Sequence, residues 1–215
     1  MSSTEAVIES AWDAPESVYD RRAATYDAMV SSRLYNRLAW GTDPGDYAAF
    51  AREAVESGTG PLLDVAAGTA TATADAYLAS SRPVVITDRS RGMLALAAQR
   101  LTIDGRPRAH TRFVQADAFA LPFPPGGFET VVCLGFLHLV DDPVPFVDGL
   151  RAQLRPGGRL FASSLVAATL VGTRYLRFLH RAGEMATPRT ADQLADLFGV
   201  PVRRRASMAY LVILG

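Results

Sequence analysis

The chain reads as a doubly wound α/β protein, and three features of its sequence predict that class. Short apolar runs alternate with helix-length segments from Pro61 onward, as they do when parallel strands are covered on both faces. Gly and Pro fall between those runs rather than inside them. At the C-terminus two strand-like runs, Val202–Ala206 and Tyr210–Leu214, follow each other with almost nothing between them. A parallel crossover needs about a dozen residues, so these two runs form a hairpin and one of them opposes the rest of the sheet.

The elements follow in order. From Ser17 to about Ser57 the apolar residues Val18, Ala23, Met29, Leu34, Leu38, Tyr47, Phe50 and Ala54 recur at helical spacing, broken by the turn Asp43-Pro44-Gly45. Strand Pro61–Val65 leads through a small-residue turn into a helix from about Thr71 to Leu78. Strand Pro83–Ile86, helix Ser90–Leu101, strand His110–Val114 and strand Thr130–Gly135 come next. Asp142-Pro143 opens a helix to Leu154, strand Gly158–Ser163 follows, and helix Thr190–Phe198 precedes the hairpin. At 215 residues the expectation is one domain, with 1–58 as a helical N-terminal cover and 59–215 as the core.

Composition narrows the function. Basic and acidic residues balance at 22 each, so the chain lacks the positive field that nucleic-acid backbones require, and no nucleic-acid partner is expected. Every basic residue is Arg, which excludes Schiff-base chemistry on lysine. Cys133 stands alone, without a disulfide or CxxC partner, so no metal is expected. The acidic start MSSTEAVIESAWDAPE lacks the basic region of a signal peptide, and no apolar run nears the ~20 residues of a membrane span. The expectation is a cytoplasmic protein, monomer or homodimer, away from membranes and acting on a small molecule.

In open α/β sheets ligands sit at the carboxyl ends of the strands, and the first strand-to-helix turn is the usual place. Here it reads Asp64-Val65-Ala66-Ala67-Gly68-Thr69-Ala70, where Gly68 permits close backbone approach. Asp88 ends the second strand in VVITDRS, placed to accept from ribose hydroxyls. Asp117, in Gln115-Ala116-Asp117-Ala118 after the third strand, is placed to accept from an adenine amine.

The segments LLDVAAGTA, ITDRSRGML, QADAFALPFPPGGFETVVC and LRPGGRL follow one another in the order and spacing of class I S-adenosylmethionine-dependent methyltransferases, which the chain resembles over most of its length. The resemblance implies a Rossmann-like sheet of seven strands with an antiparallel C-terminal hairpin. It implies S-adenosyl-L-methionine as cofactor, held by Tyr26, Asp64, Ala66, Gly68, Asp88, Arg89, Met93, Asp117, Ala118 and Leu134. A nicotinamide-binding Rossmann domain predicts neither that hairpin nor Arg155-Pro156-Gly157-Gly158.

The acceptor implied is small and fairly apolar, with oxygen or nitrogen favoured as the attacked atom. His138, in LGFLHLVDD beyond the fourth strand, is the candidate general base. Phe136, with Tyr175 and Phe178 in the insertion after the fifth strand, is the candidate acceptor wall. Arg174, Arg177 and Arg181 in that insertion read as a solvated helix face or as a guide for an anionic acceptor. The family's first motif usually has three glycines, and here Ala66 and Ala70 replace the outer two. The expectation is that the Ala70 methyl crowds the methionine end of the cofactor and resists a positive φ. That motivates the alternative of a methyltransferase-fold binding module or a non-methylating enzyme.

Overall fold

The structure is a computed structural model, and it describes residues 7–11 and 43–215. The described strands are β1 (Ile8–Ser10), β2 (Leu62–Val65), β3 (Val84–Asp88), β4 (Thr102–Ile103), β5 (Arg106–Pro107), β6 (Thr111–Gln115), β7 (Phe128–Cys133), β8 (Leu154–Leu165), β9 (Val202–Arg205) and β10 (Met208–Leu214). The helices are α1 (Pro44–Glu56), α2 (Ala74–Leu78), α3 (Arg91–Arg100), α4 (Pro143–Ala152), α5 (Leu170–Arg181) and α6 (Ala191–Phe198).

Eight strands form the main sheet in the order β1-β6-β3-β2-β7-β8-β10-β9, while β4 and β5 pair in a small ribbon of their own. Neighbours from β1 to β8 run parallel, and β10 opposes both β8 and β9. The expected hairpin is therefore present. Among the described residues the main sheet has eight strands rather than seven, because Ile8–Ser10 adds to the edge of β6. These three residues have no alternation to betray them. What holds them is the edge itself, together with the ion pair in which Arg112 donates to Glu9 at 2.7 Å.

Strand order reverses between β2 and β7, since β3 and β6 lie on one side of β2 and β7 and β8 on the other. That is the switch point where such sheets open a crevice. Each face of the sheet buries its own layer. On one, Leu62, Ile86 and Phe161 pack with Phe50 and Ala54 of α1, Tyr77 of α2 and Leu94 of α3. On the other, Leu63, Val131 and Leu160 pack with Phe146 and Leu150 of α4 and Leu194 of α6. Strands covered on both sides are mostly apolar, as Leu62, Leu63 and Val65 of β2 and Val131, Val132 and Cys133 of β7 are.

The helix starts obey local chemistry. The Asp43 side chain accepts from Gly45 N–H at 2.7 Å, with Pro44 at the first helical position of α1. Thr190 and Gln193 form a reciprocal capping box on α6, and Gly199 ends that helix at φ 64°. β8 carries a register shift: Phe128 faces Leu154, yet Thr130 already faces Arg159, so Arg155 to Gly158 bow out of the ladder. The strand thus includes the Arg155-Pro156-Gly157-Gly158 turn expected to precede it.

One side chain ties these layers together. Arg82 is 4 % exposed, and its Nε donates to Gly60 O at 2.9 Å. Its Nη1 donates to Ala54 O at 3.2 Å and Val55 O at 2.7 Å, and its Nη2 reaches Thr130 Oγ1 at 2.9 Å and Glu129 at 3.5 Å. The fork satisfies the last-turn carbonyls of α1, which has no basic residue of its own in that turn. Lysine cannot reproduce this geometry. Arg82→Lys is expected to cost about 3 kcal/mol, the order for disrupting a buried charged network, measured as a lowered midpoint in urea denaturation with far-UV circular dichroism.

Candidate active site

The carboxyl ends of β2, β3, β6 and β7 lie side by side, and four segments leave them: the turn from Ala66 to Ala70, Asp88, Gln115-Ala116-Asp117, and Leu134-Gly135-Phe136. In the first turn the backbone enters the left-handed region three times, at Ala66 (φ 54°), Gly68 (φ 57°) and Ala70 (φ 55°). Ala70 therefore adopts the positive φ it was expected to resist. Its side chain is 2 % exposed and packs in the core with Ala74 and Tyr77. Each alanine held there costs on the order of 1 kcal/mol, which the surrounding bonds offset. Ala67 N–H donates to Thr87 O at 3.0 Å, Ala74 N–H to Ala70 O at 2.8 Å, and Arg100 Nη1 to Thr69 O at 2.8 Å.

Gly68 is the point of closest possible approach, because a Cβ built on it would meet nothing within 4 Å. Its N–H donates to Asp88 Oδ2 at 2.8 Å, while Asp88 Oδ1 accepts from Ser90 N–H at 2.8 Å. Asp88 thus braces the turn from the neighbouring strand end. Ser90, not Asp88, caps α3, its Oγ accepting from Met93 N–H at 3.1 Å. Met93 is buried, whereas Arg89 is exposed and offers its carbonyl to Gln115 Nε2 at 3.1 Å. Asp117 is half-buried; its Oδ1 accepts from Phe119 N–H at 3.0 Å, which shapes the loop carrying Ala118.

Asp64 lies deeper. It is 1 % exposed, and its Oδ2 accepts from Tyr77 Oη at 2.7 Å and Thr73 Oγ1 at 3.3 Å. Burial pushes its pKa up to about 7 against the help of those two donors, and the charge of Asp88 adds to the rise. The carboxyl therefore holds the turn and α2 from beneath.

On the β7 and β8 side, Leu134 is half-buried, and Gly135 (φ 67°) donates its N–H to Ser163 Oγ at 2.8 Å. Tyr47 of α1 closes over this point, its hydroxyl 3.5 Å from Ser163 Oγ. Phe136 packs on Phe146 at 5.4 Å and faces Phe119, which is 63 % exposed, at 6.2 Å. His138 lies in the short 3-10 turn Leu137–Leu139, with Leu165 N–H directed at its Nδ1 at 3.5 Å. Desolvation lowers its pKa to about 4, so the imidazole is neutral at physiological pH. Tyr175 and Phe178 stack at 6.4 Å on α5, with Phe178 63 % exposed. Tyr26 lies outside the described residues. Tyr47, Ser163 and Arg100 were not among the sequence-based candidates; Tyr47 showed only as one apolar position in a helical pattern.

Residues 63–162 match the family model described as a methyltransferase domain. Over 143 residues the chain is 36% identical to the demethylmenaquinone methyltransferase of Clavibacter sepedonicus, an alignment covering 66% of this chain and 54% of that protein. The chain thus spans about half the length of that curated relative. Among solved structures, the DhpI–SAH complex superposes with a TM-score of 0.63 at 21% identity, covering 90% of this chain and 91% of that one. The [4+2]-cyclase SpnF superposes with a TM-score of 0.60 at 20% identity, covering 86% and 73%.

Two outcomes follow from the geometry. A Cβ at Gly135 would lie 2.5 Å from the Tyr47 hydroxyl, so Gly135→Ala is expected to cost about 2 kcal/mol or more from contact and φ strain. Adding Tyr47→Phe should return part of that loss, read as a coupling energy in a denaturation cycle. For Asp64, the folded chain keeps a proton between pH 3.8 and about 7 that the unfolded chain releases. Stability carried by this group therefore falls as pH rises through that window. The melting temperature of Asp64→Asn should lack that decline relative to the native chain.

Proposed function

We propose that the chain is a class I S-adenosylmethionine-dependent methyltransferase that transfers a methyl group to a small, fairly apolar acceptor. The observation that carries this reading is the open, left-handed turn at Gly68, braced by a carboxylate at the end of the neighbouring strand. The residues fit the cofactor: space for close approach at Gly68, carboxylates at Asp88 and Asp117 beside it, and a half-buried Leu134 at the next strand end. When bound, S-adenosylmethionine supplies a methyl group already activated on a sulfonium.

What the chain must do is hold an acceptor atom in line with that methyl group and exclude water, work that positioning can perform without strong acid–base help. Phe136, Phe119, Tyr175 and Phe178 offer apolar and aromatic surface toward an acceptor. His138 is the candidate base; its neutral ring turns the accepting Nδ1 toward Leu165 N–H, so Nε2 carries the proton and Nδ1 is the nitrogen that would take another. Its low pKa makes it a weak base, which favours acceptors needing little deprotonation, such as amines or electron-rich aromatic rings. The relative's name, a demethylmenaquinone methyltransferase, supports including quinol ring carbon beside the oxygen and nitrogen acceptors favoured by the sequence.

Calorimetry with S-adenosylmethionine and S-adenosylhomocysteine, joined to a labelled-methyl assay over phenols, amines and hydroquinones, tests the proposal. Micromolar-range binding is expected, weakened about tenfold or more by Asp88→Ala, since a charge-assisted hydrogen bond is worth about 1.5–3 kcal/mol. Binding of neither ligand would overturn it. Binding without methyl transfer to any acceptor would favour a non-methylating enzyme on the same fold.

A further inference from the structure

α5 has two faces of opposite character. Leu176, fully buried, and Leu179 pack with Met185, Leu139 and Leu165, closing the helix onto the carboxyl end of β8. Thr173, Arg177, His180 and Arg181, spaced by four, three and one residues, share another face. That face looks into a cavity of about 530 Å³, whose far wall is built by Thr187, Pro188, Thr190 and Gln193. This is the size of a small-metabolite site.

The chemistry of its lining is one-sided. No carboxylate contributes to it. Arg82, Arg112, Arg151, Arg155 and Arg203 each meet an Asp or Glu, whereas Arg177 and Arg181 have neither ion pair nor hydrogen bond among the described residues. His180 Nδ1 is 3.1 Å from Met185 O, so that nitrogen carries the proton and donates, leaving Nε2 toward other partners. The opposite wall is fixed in place. Arg189 donates to Val140 O at 3.1 Å and Asp141 O at 2.6 Å, and the capping box orders Thr190 and Gln193.

We infer that the cavity between α5 and the start of α6 is a binding site for a small oxyanion, a phosphate or carboxylate group gripped by Arg177 and Arg181. Two guanidinium groups reaching one cavity give the planar, forked donors that such groups accept bidentately. The hydroxyls of Thr173 and Thr187 and the Gln193 amide supply neutral donors around them. The oxyanion is either a separate small molecule or the charged end of the acceptor, because Ala167, which also lines the cavity, directly follows the β8 segment that carries Leu165 beside His138.

The test is calorimetric titration of the full chain with inorganic phosphate against chloride at matched ionic strength, which removes simple screening. Arg177→Gln with Arg181→Gln is expected to weaken phosphate binding about tenfold or more. Arg174→Gln, on the same helix but outside the cavity lining, should leave binding unchanged. All three substitutions sit on exposed positions, so melting temperatures without phosphate should match the native chain. No heat beyond the chloride control, native binding by the double variant, or an equal loss in Arg174→Gln would each overturn the site. These readouts need no turnover and so stand apart from methyl transfer. With an acceptor in hand, phosphate that raises its KM assigns the site to the acceptor's own anion; an unchanged KM with phosphate bound assigns it to a separate molecule.

Discussion

The fold hangs on the guanidinium of Arg82. It donates four hydrogen bonds, to Ala54 and Val55 at the end of α1, to Gly60 before β2 and to Thr130 of β7, and pairs with the charge of Glu129. Glu129 in turn accepts from Gly60 N–H and Arg155, so the amino ends of the central strands are locked at one charged node. Those hydrogen bonds hold Glu129 below the usual carboxylate range, the Gly60 amide contributing most. With one end of the sheet fixed, the other can carry a turn of three left-handed residues that offers little regular hydrogen bonding of its own.

The candidate site is built on that division. Asp64 and Tyr77 make a buried polar pair just under the turn, and Asp88 secures Gly68 from the side. Neither carboxylate is a simple ligand waiting in solvent. Each belongs to a backbone-shaping network, so the crevice is preorganised by groups that also face, or lie behind, the position where a cofactor would rest.

The parallel core was legible because doubly covered strands have to be apolar throughout and because turn residues punctuate them. The hairpin was legible from chain length alone, since four residues at most separate its strands. β1 was not, because Ile8-Glu9-Ser10 has no period and owes its conformation to an edge more than a hundred residues away. Ala70 was misleading for a related reason: residue type argues against a left-handed backbone, and only the surrounding core shows that it is held there. Asp64 could be placed at a strand end but not recognised as buried, since that depends on Tyr77 folding back from α2. The arginines of α5 read either as a solvated face or as a guide for an anion, and only the wall from Thr187 through the first turn of α6 gives them a cavity to face.

β1 also bears on how the molecule behaves at high concentration. A sheet whose outermost strand is long and bare recruits strands from other chains and grows into aggregates. Here one margin ends in a three-residue strand carrying Glu9, and the other in β9, whose Val202-Arg203-Arg204-Arg205 sets three consecutive cations along the border. Among the described residues both margins end in strands of three and four residues with charged side chains, which leaves another chain little open ladder to join.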